Sequence, residues 1–404
     1  MTRLPTLLFL LFTACGGGDS VEVKDVADGD ADTDTDTDAD TDPDTDADTD
    51  TTDTDTDTDT TDTDTGVPGV PRIFDAYHVL VVPTEDGISF YANDGSVVHE
   101  YTWTAMVGAC PGCTGEGASP DGDGLLVSWA GQAQNQGVAR INSAGVVEFT
   151  IKGMAFPHDA VRDPADDSII VPEAFANALT WYPGDGSSAK DTRRVDDNTP
   201  GYNQNLPNGM DRVDYNGRTY ILVSNRATGF GGNLGLLTLW DITDPAVIPT
   251  KVWQFPQTGS LDTPHGPVIR QLDGVWYLLY AHSYGGPNGN GAVGVATMSD
   301  PTVQPEYVAD LVPEQPVQPF DFLRGVELTD DGFLWMTDSG PEASNLDQGR
   351  IITAPFPPGL VATGKAGSTA NGQQEYLGMP GGTLVVDDMP NPFEGWLWVP
   401  TIVF

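Results

Sequence analysis

Basic residues are in short supply: 17 lysines and arginines stand against 60 aspartates and glutamates, a net charge of −43. Nucleic acids and anionic lipid surfaces both require a cationic footprint, so neither is expected as a partner, while small molecules remain open. Histidine is rarer still, with five in 404 residues, so a position at which histidines recur in register carries weight. Three cysteines occur. A zinc site built on the one Cys-x-x-Cys would need two more ligands nearby, and no second cysteine pair exists. Helical periodicity is sparse. The N-terminal apolar run, Leu7 to Phe12, is too short to cross a membrane, and no other segment reaches the length required.

The N-terminus carries Arg3, that apolar run, and then Thr13-Ala14-Cys15. A positive region, a short apolar region and small residues before a cleavage point form an export signal. With a cysteine at the cleavage point it resembles a bacterial lipoprotein signal. The resemblance implies that Cys15 is lipidated and begins the mature chain, anchoring the protein at the cell envelope, with Gly16 giving no cue for inner-membrane retention and the outer membrane expected. Residues 16–70 are a different material, almost purely Asp, Thr and Ala from 19 to 65. Such a stretch buries too little apolar area to offset chain entropy, and its like charges extend it, so a disordered tether is expected. Its alternating aspartates lack the sixth-position glycine and closing glutamate of an EF-hand loop, which argues against ordered calcium.

From 71 to 404 the composition changes to short apolar runs, glycine, proline, tryptophan and tyrosine. A brief phrase recurs roughly every fifty residues. The copies are Gly115-Glu116-Gly117, Pro157-His158-Asp159, Pro207-Asn208-Gly209, Pro264-His265-Gly266, Leu323-Arg324-Gly325 and Pro380-Gly381-Gly382. Each precedes an apolar strand, such as Leu125-Leu126-Val127 or Tyr220-Ile221-Leu222-Val223. A period of this size carried by short strands predicts an all-β domain, a single β-propeller. Outer strand pairs are expected at 88–92 with 97–103, 138–142 with 146–151, and 236–242 with 251–255. Six blades follow if the C-terminal pair, 383 to 401, takes the N-terminal outer strands as partners. The spare strand 77–82 leaves room for a seventh.

Equivalent positions of a propeller converge on one axis. Glu116, His158, Asn208, His265 and Arg324 are therefore expected at one mouth of the channel, with a second ring at the ends of the following strands: Trp129, Glu173, Asn225 with Arg226, His282 and Asp338. Histidines, arginines and carboxylates gathered in one funnel can do acid–base or nucleophilic work, or bind an ion. A channel lined with polar groups merely because water fills it is the plainer alternative. Cys110-Pro-Gly-Cys113 reads as a local disulfide across a tight turn in an oxidising compartment.

At these residues a family likeness appears. The run from Gly87 to Tyr101, Phe156-Pro-His-Asp-Ala160, Tyr220-Ile-Leu-Val-Ser-Asn-Arg226 and Thr263-Pro-His-Gly266 resemble, in order and spacing, segments of the arylsulfotransferase propellers. Those enzymes move sulfuryl groups between phenols without a cofactor. The resemblance implies that His265 is the nucleophile and that His158 and Arg226 bind the sulfuryl oxygens; Asn208, His282, Arg324 and Glu173, from the two rings, are expected to line the substrate site. Asn208 stands where that family has a histidine, and asparagine cannot act as an acid. Pro264-His-Gly266 with His282 also resembles the histidine pair of paraoxonase-type lactonases, which implies a central calcium held by Glu116, Asn225 and Asp338. A non-catalytic, surface-tethered binding propeller is the third class.

Overall fold

In a computed structural model of the protein, the short strands assemble into six sheets of four or five strands. The chain divides into Met1–Asp64 and Thr65–Phe404. The structure describes residues 79–92, 95–131, 135–142, 145–187, 194–196, 198–200, 202, 206–225, 235–257, 261, 263–283, 291–314, 318–339, 349–357, 360, 376–379, 383–389 and 396–398. Cys15, the export signal and the Asp/Thr segment fall outside these residues, as does Arg226.

The sheets are the blades of a six-bladed propeller. Blade 2 consists of Thr114–Asp121, Gly124–Ala130, Gly137–Ile141 and Val147–Lys152. Blade 3 consists of Val161–Arg162, Ile169–Glu173, Ala178–Tyr182 and Arg194–Val195. Blade 4 follows with Pro207–Tyr215, Arg218–Asn225, Leu236–Asp241 and Thr250–Phe255. Blade 5 holds Pro264–Leu272, Val275–His282, Ala292–Met298 and Glu306–Pro313, with Tyr376–Met379 added in parallel at its edge. Blade 6 holds Phe322–Leu328, Phe333–Ser339, Gly349–Pro355 and Thr383–Met389. Within each blade the second strand is buried on both faces, which is why these segments read as continuous apolar runs rather than alternating ones.

Closure differs from the sequence expectation. Blade 1 takes one C-terminal strand, Trp396–Trp398, as its inner member, paired with Val79–Pro83 through Leu80 opposite Leu397. Gly87–Tyr91 and Val97–Thr102 complete it. The expected C-terminal pair is split, and Thr383–Met389 becomes the outer strand of blade 6. The reason lies in the spare strand: Leu80, Val81 and Val82 form an unbroken apolar run that is stable only as a central strand, so it fills the second position of blade 1 instead of starting a seventh blade.

Side chains sew neighbouring inner strands together around the axis. Ser119 Oγ donates to the Ala160 carbonyl. Asp159 Oδ2 accepts from Met210 N at 2.9 Å, and Asp211 Oδ2 accepts from Ile269 N at 3.0 Å. Arg270, held by Asp211 at 2.8 Å, donates twice to Glu327 at 2.7 Å. Blades 2 to 6 are thus linked in sequence through buried polar groups. Burial pushes the Asp159 carboxyl up to about 7, helped by the nearby Asp211 charge, and raises Asp211 and Glu327 against the opposing pull of Arg270.

Candidate functional site

Strand register puts the repeated polar positions at one level. Gly115 pairs with Trp129, Pro157 with Glu173, Pro207 with Asn225, Pro264 with His282 and Leu323 with Asp338. These partners are the second ring expected from the sequence. The register also slips at this level in four blades, between Gly115 and Gly117, Pro207 and Met210, His265 and Val268, and Leu323 and Gly325. A β-bulge frees a residue from the ladder and re-aims its side chain. Glu116, Asn208 and Arg324 sit in these bulges, and His265 sits at the edge of its own.

The turns feeding the bulges are strained. Phe156, Leu206 and Thr263, each directly before the proline of the phrase, have φ values of 62°, 54° and 44°. A left-handed conformation is costly for a residue with a Cβ, most of all for β-branched threonine. Three blades repeating the same costly turn mark a place where the surrounding fold over-determines the backbone. Gly117 shows how close the packing is: a Cβ there would lie 2.5 Å from the His158 carbonyl oxygen.

Within the ring the side chains form pairs across blades. His158 Nδ1 donates to Glu116 Oε2 at 3.1 Å, while Glu116 Oε1 accepts from Thr114 Oγ1 at 3.3 Å. A carboxylate only accepts, so the proton of this contact is on Nδ1, and in a neutral ring the lone pair is then on Nε2. Asn208 Nδ2 lies 2.8 Å from His265 Nδ1 and 3.5 Å from its Nε2, so the amide and the imidazole of adjacent blades meet face to face. His265 also meets the Phe322 ring edge-on with centroids 6.0 Å apart, and the Arg324 guanidinium lies 4.3 Å over the same ring. Phe322 therefore connects the His265 pair to a cation.

The outer ring is used differently. Glu173 is buried, with Oε2 accepting from Ala155 N at 2.8 Å and Oε1 accepting from Tyr182 Oη at 2.8 Å. Asn225 Nδ2 donates to the Val223 and Leu236 carbonyls. Asp338 accepts from Asp321 N and Phe322 N and from Arg350; burial pushes its carboxyl up to about 6 despite Arg350. His282 lies inside blade 5, with Nδ1 3.7 Å from Asp310 Oδ2 and its ring against Tyr280. These groups tie down the turns of the mouth from within the sheet. Glu173 and His282, expected at a substrate site, are buried here and contact neighbouring groups of the sheet. Of the residues expected to hold calcium, Glu116 and Asp338 are bonded to protein partners, whereas the Oδ1 atoms of Asn225 and Asn208 are buried without a hydrogen-bond partner among the described residues. Among the described residues no three His, Cys, Asp or Glu side chains are grouped to hold a metal ion. Cys110 and Cys113 are joined as a disulfide, with Cα atoms 5.5 Å apart.

Sequence reasoning missed Phe156 and Phe175. Phe156 makes an edge contact with the His158 ring, with centroids 4.8 Å apart, and Phe175 stacks on Phe156 at 4.5 Å. Phe156 directly precedes Pro157 and was legible as part of the phrase; Phe175 lies outside every repeat. At the opposite ends of the inner strands lies a cleft of about 580 Å³ lined by Asp121, Arg140, Arg162 and Arg212 among others. There Asp121 takes bonds from both Arg140 and Arg162, and its carboxyl is held below the usual range, burial being outweighed by the two guanidinium groups.

No protein-family profile and no curated protein matches the chain. Solved structures do. A putative 6-phosphogluconolactonase from Bacteroides fragilis is 14% identical with a TM-score of 0.45, over 70% of this chain and 80% of that one. Regucalcin, a calcium-binding protein from Agrobacterium tumefaciens, is 12% identical with a TM-score of 0.38, over 60% of this chain and 70% of that one. A virginiamycin B lyase from Staphylococcus aureus is 15% identical with a TM-score of 0.39, over 72% of this chain and 87% of that one. Likenesses this distant carry no argument about activity.

Proposed function

We propose that the protein is a transferase, tethered at the cell envelope through Cys15, that moves a sulfuryl group between small molecules through a histidine intermediate. The reading rests on the Glu116–His158 pair: with Nδ1 turned to the carboxylate, a neutral His158 would carry its lone pair on Nε2. It also changes the roles implied by the family resemblance. His158 becomes the nucleophile and His265 a hydrogen-bond donor. Exposure favours this order: His158 is 8% accessible, whereas His265 is 1% accessible. In the first step Nε2 of His158 bonds to sulfur, the sulfur–oxygen ester bond breaks, and the leaving oxygen departs with the electron pair. His265 and Arg324 would offset charge shifting onto oxygen. An acceptor hydroxyl then reverses the sequence and releases the imidazole.

The test uses the full-length chain, 4-nitrophenyl sulfate as donor and phenol as acceptor. Release of 4-nitrophenolate is expected, together with a sulfuryl mass increment on the tryptic peptide 153–162, which contains His158. An increment on peptide 252–270 would return the nucleophilic role to His265. No turnover and no labelled peptide would remove the reading.

A further inference from the structure

Phe175 is the most exposed large apolar side chain among the described residues, at 69%. Solitary apolar side chains on a surface need no explanation, and Val247 and Ile248, in a turn of blade 4, are of that kind. Phe175 is not solitary. One face lies on Phe156, with an interplanar angle of 22°, and Phe156 meets the His158 ring edge-on at 67°. The three rings form a continuous path from solvent to the imidazole of the proposed nucleophile.

The backbone beneath this path is rigid. Phe175 N donates to the Ala155 carbonyl and Ala174 N to the Phe156 carbonyl, both at 3.0 Å. Glu173, buried, holds Ala155 N from below. Asn177, left-handed at φ 49°, closes the one-turn helix Ala174–Ala176, and its Oδ1 accepts from Leu206 N at 3.1 Å. That last bond joins the segment to the strained turn preceding Asn208. A buried carboxylate, a left-handed Phe156 and a left-handed Asn177 are thus all used to hold two phenyl rings at the rim, one of them in water. The Phe156–Phe175 stack leaves the outer face of Phe175 in water, and a flat ring laid on it would extend the stack by one member.

We infer that Phe175 and Phe156 form a docking platform for a planar aromatic ring, and that they set the specificity of this mouth. The inference rests on reading the mouth as a small-molecule site but not on sulfuryl transfer, so it is tested by binding alone. Full-length protein is titrated with 2-naphthol and with decahydro-2-naphthol, a saturated compound of the same connectivity. The aromatic compound is expected to bind about fivefold to tenfold more tightly. Phe175→Ala should erase that preference, Phe175→Trp should keep it, and Val247→Ala should leave it unchanged. Phe175 is exposed, so an unaltered melting temperature will show that the variants fold. Equal binding of the two compounds, an undiminished preference in Phe175→Ala, or no binding of 2-naphthol overturns the inference. Loss of 4-nitrophenyl sulfate turnover with the preference intact would sink the transfer reaction and leave the platform standing.

Discussion

The two ends of the inner strands are both polar, and they are polar in different ways. Where the strands finish, Asp121 is bound by Arg140 and Arg162, which in turn reach Asp123, Glu148 and Asp167. Within this cluster each of these charges meets an opposite charge. Where the strands begin, polar groups stand in bulges, behind strained turns, and two imidazoles are each paired with a side chain of a neighbouring blade. Bulges and strained turns set this end apart, and the proposed function assigns chemistry to it and stability to the charged cluster at the other.

That contrast breaks most sharply under substitution. His158→Ala should lower turnover of 4-nitrophenyl sulfate by about 10³-fold or more, by analogy with the loss of a catalytic histidine, while the melting temperature stays near that of the wild type. Asp121→Ala should do the reverse. It leaves Arg140 and Arg162 without their shared, buried partner, for a loss of about 3 kcal/mol in denaturant unfolding, with turnover per folded molecule unchanged. If Asp121→Ala abolished turnover in well-folded protein, the division of labour between the two ends would be wrong.

The ends should also answer pH with opposite sign. Asp121 is held below the usual carboxylate range, so the stability it contributes is present at neutral pH and is lost as pH falls through its folded value. Asp159, next to His158, has been pushed up to about 7 from 3.8 by burial. Between those values the folded chain keeps a proton that the unfolded chain has released. Its contribution therefore declines as pH rises across that window, by up to about 1.4 kcal/mol per pH unit, and is constant above it. Asp159→Asn should remove that decline from the unfolding free energy measured between pH 4 and pH 7. An identical slope in the variant would show that Asp159 is ionised in the folded state throughout.

Much of the fold was legible because the repeat is a physical unit. The phrase before each inner strand is where the ladder must open, so its polar residue could be aligned across five blades, and the register pairs Gly115 with Trp129 and Pro264 with His282 at the expected level. What could not be read was the use of each side chain. Glu173 and His282 sit at the right height, but a central strand turns them into the sheet. Asp159 and Asp211 do their work by accepting from amides of the next blade, a contact that periodicity within one blade does not encode. Closure went astray because Trp396–Trp398 and Val79–Pro83 complete one sheet from opposite ends of the chain, and neither strand alone shows the pairing. Phe175 belongs to no repeat, so only the stack on Phe156 reveals it.

The smallest effect is the most discriminating. Glu116→Gln preserves an oxygen that can accept from His158 Nδ1–H and so preserves the tautomer, but it removes the negative charge that stabilises a positively charged imidazole. If His158 gains positive character as sulfur bonds to Nε2, turnover should fall about tenfold with little change in KM. Glu116→Ala removes orientation as well as charge and should cost more. Were Gln to retain full activity while Ala lost it, Glu116 would act by orientation alone. Were both harmless, the Glu116–His158 pair would be a structural contact like those at the far end of the strands, and the distinction between the two ends would collapse.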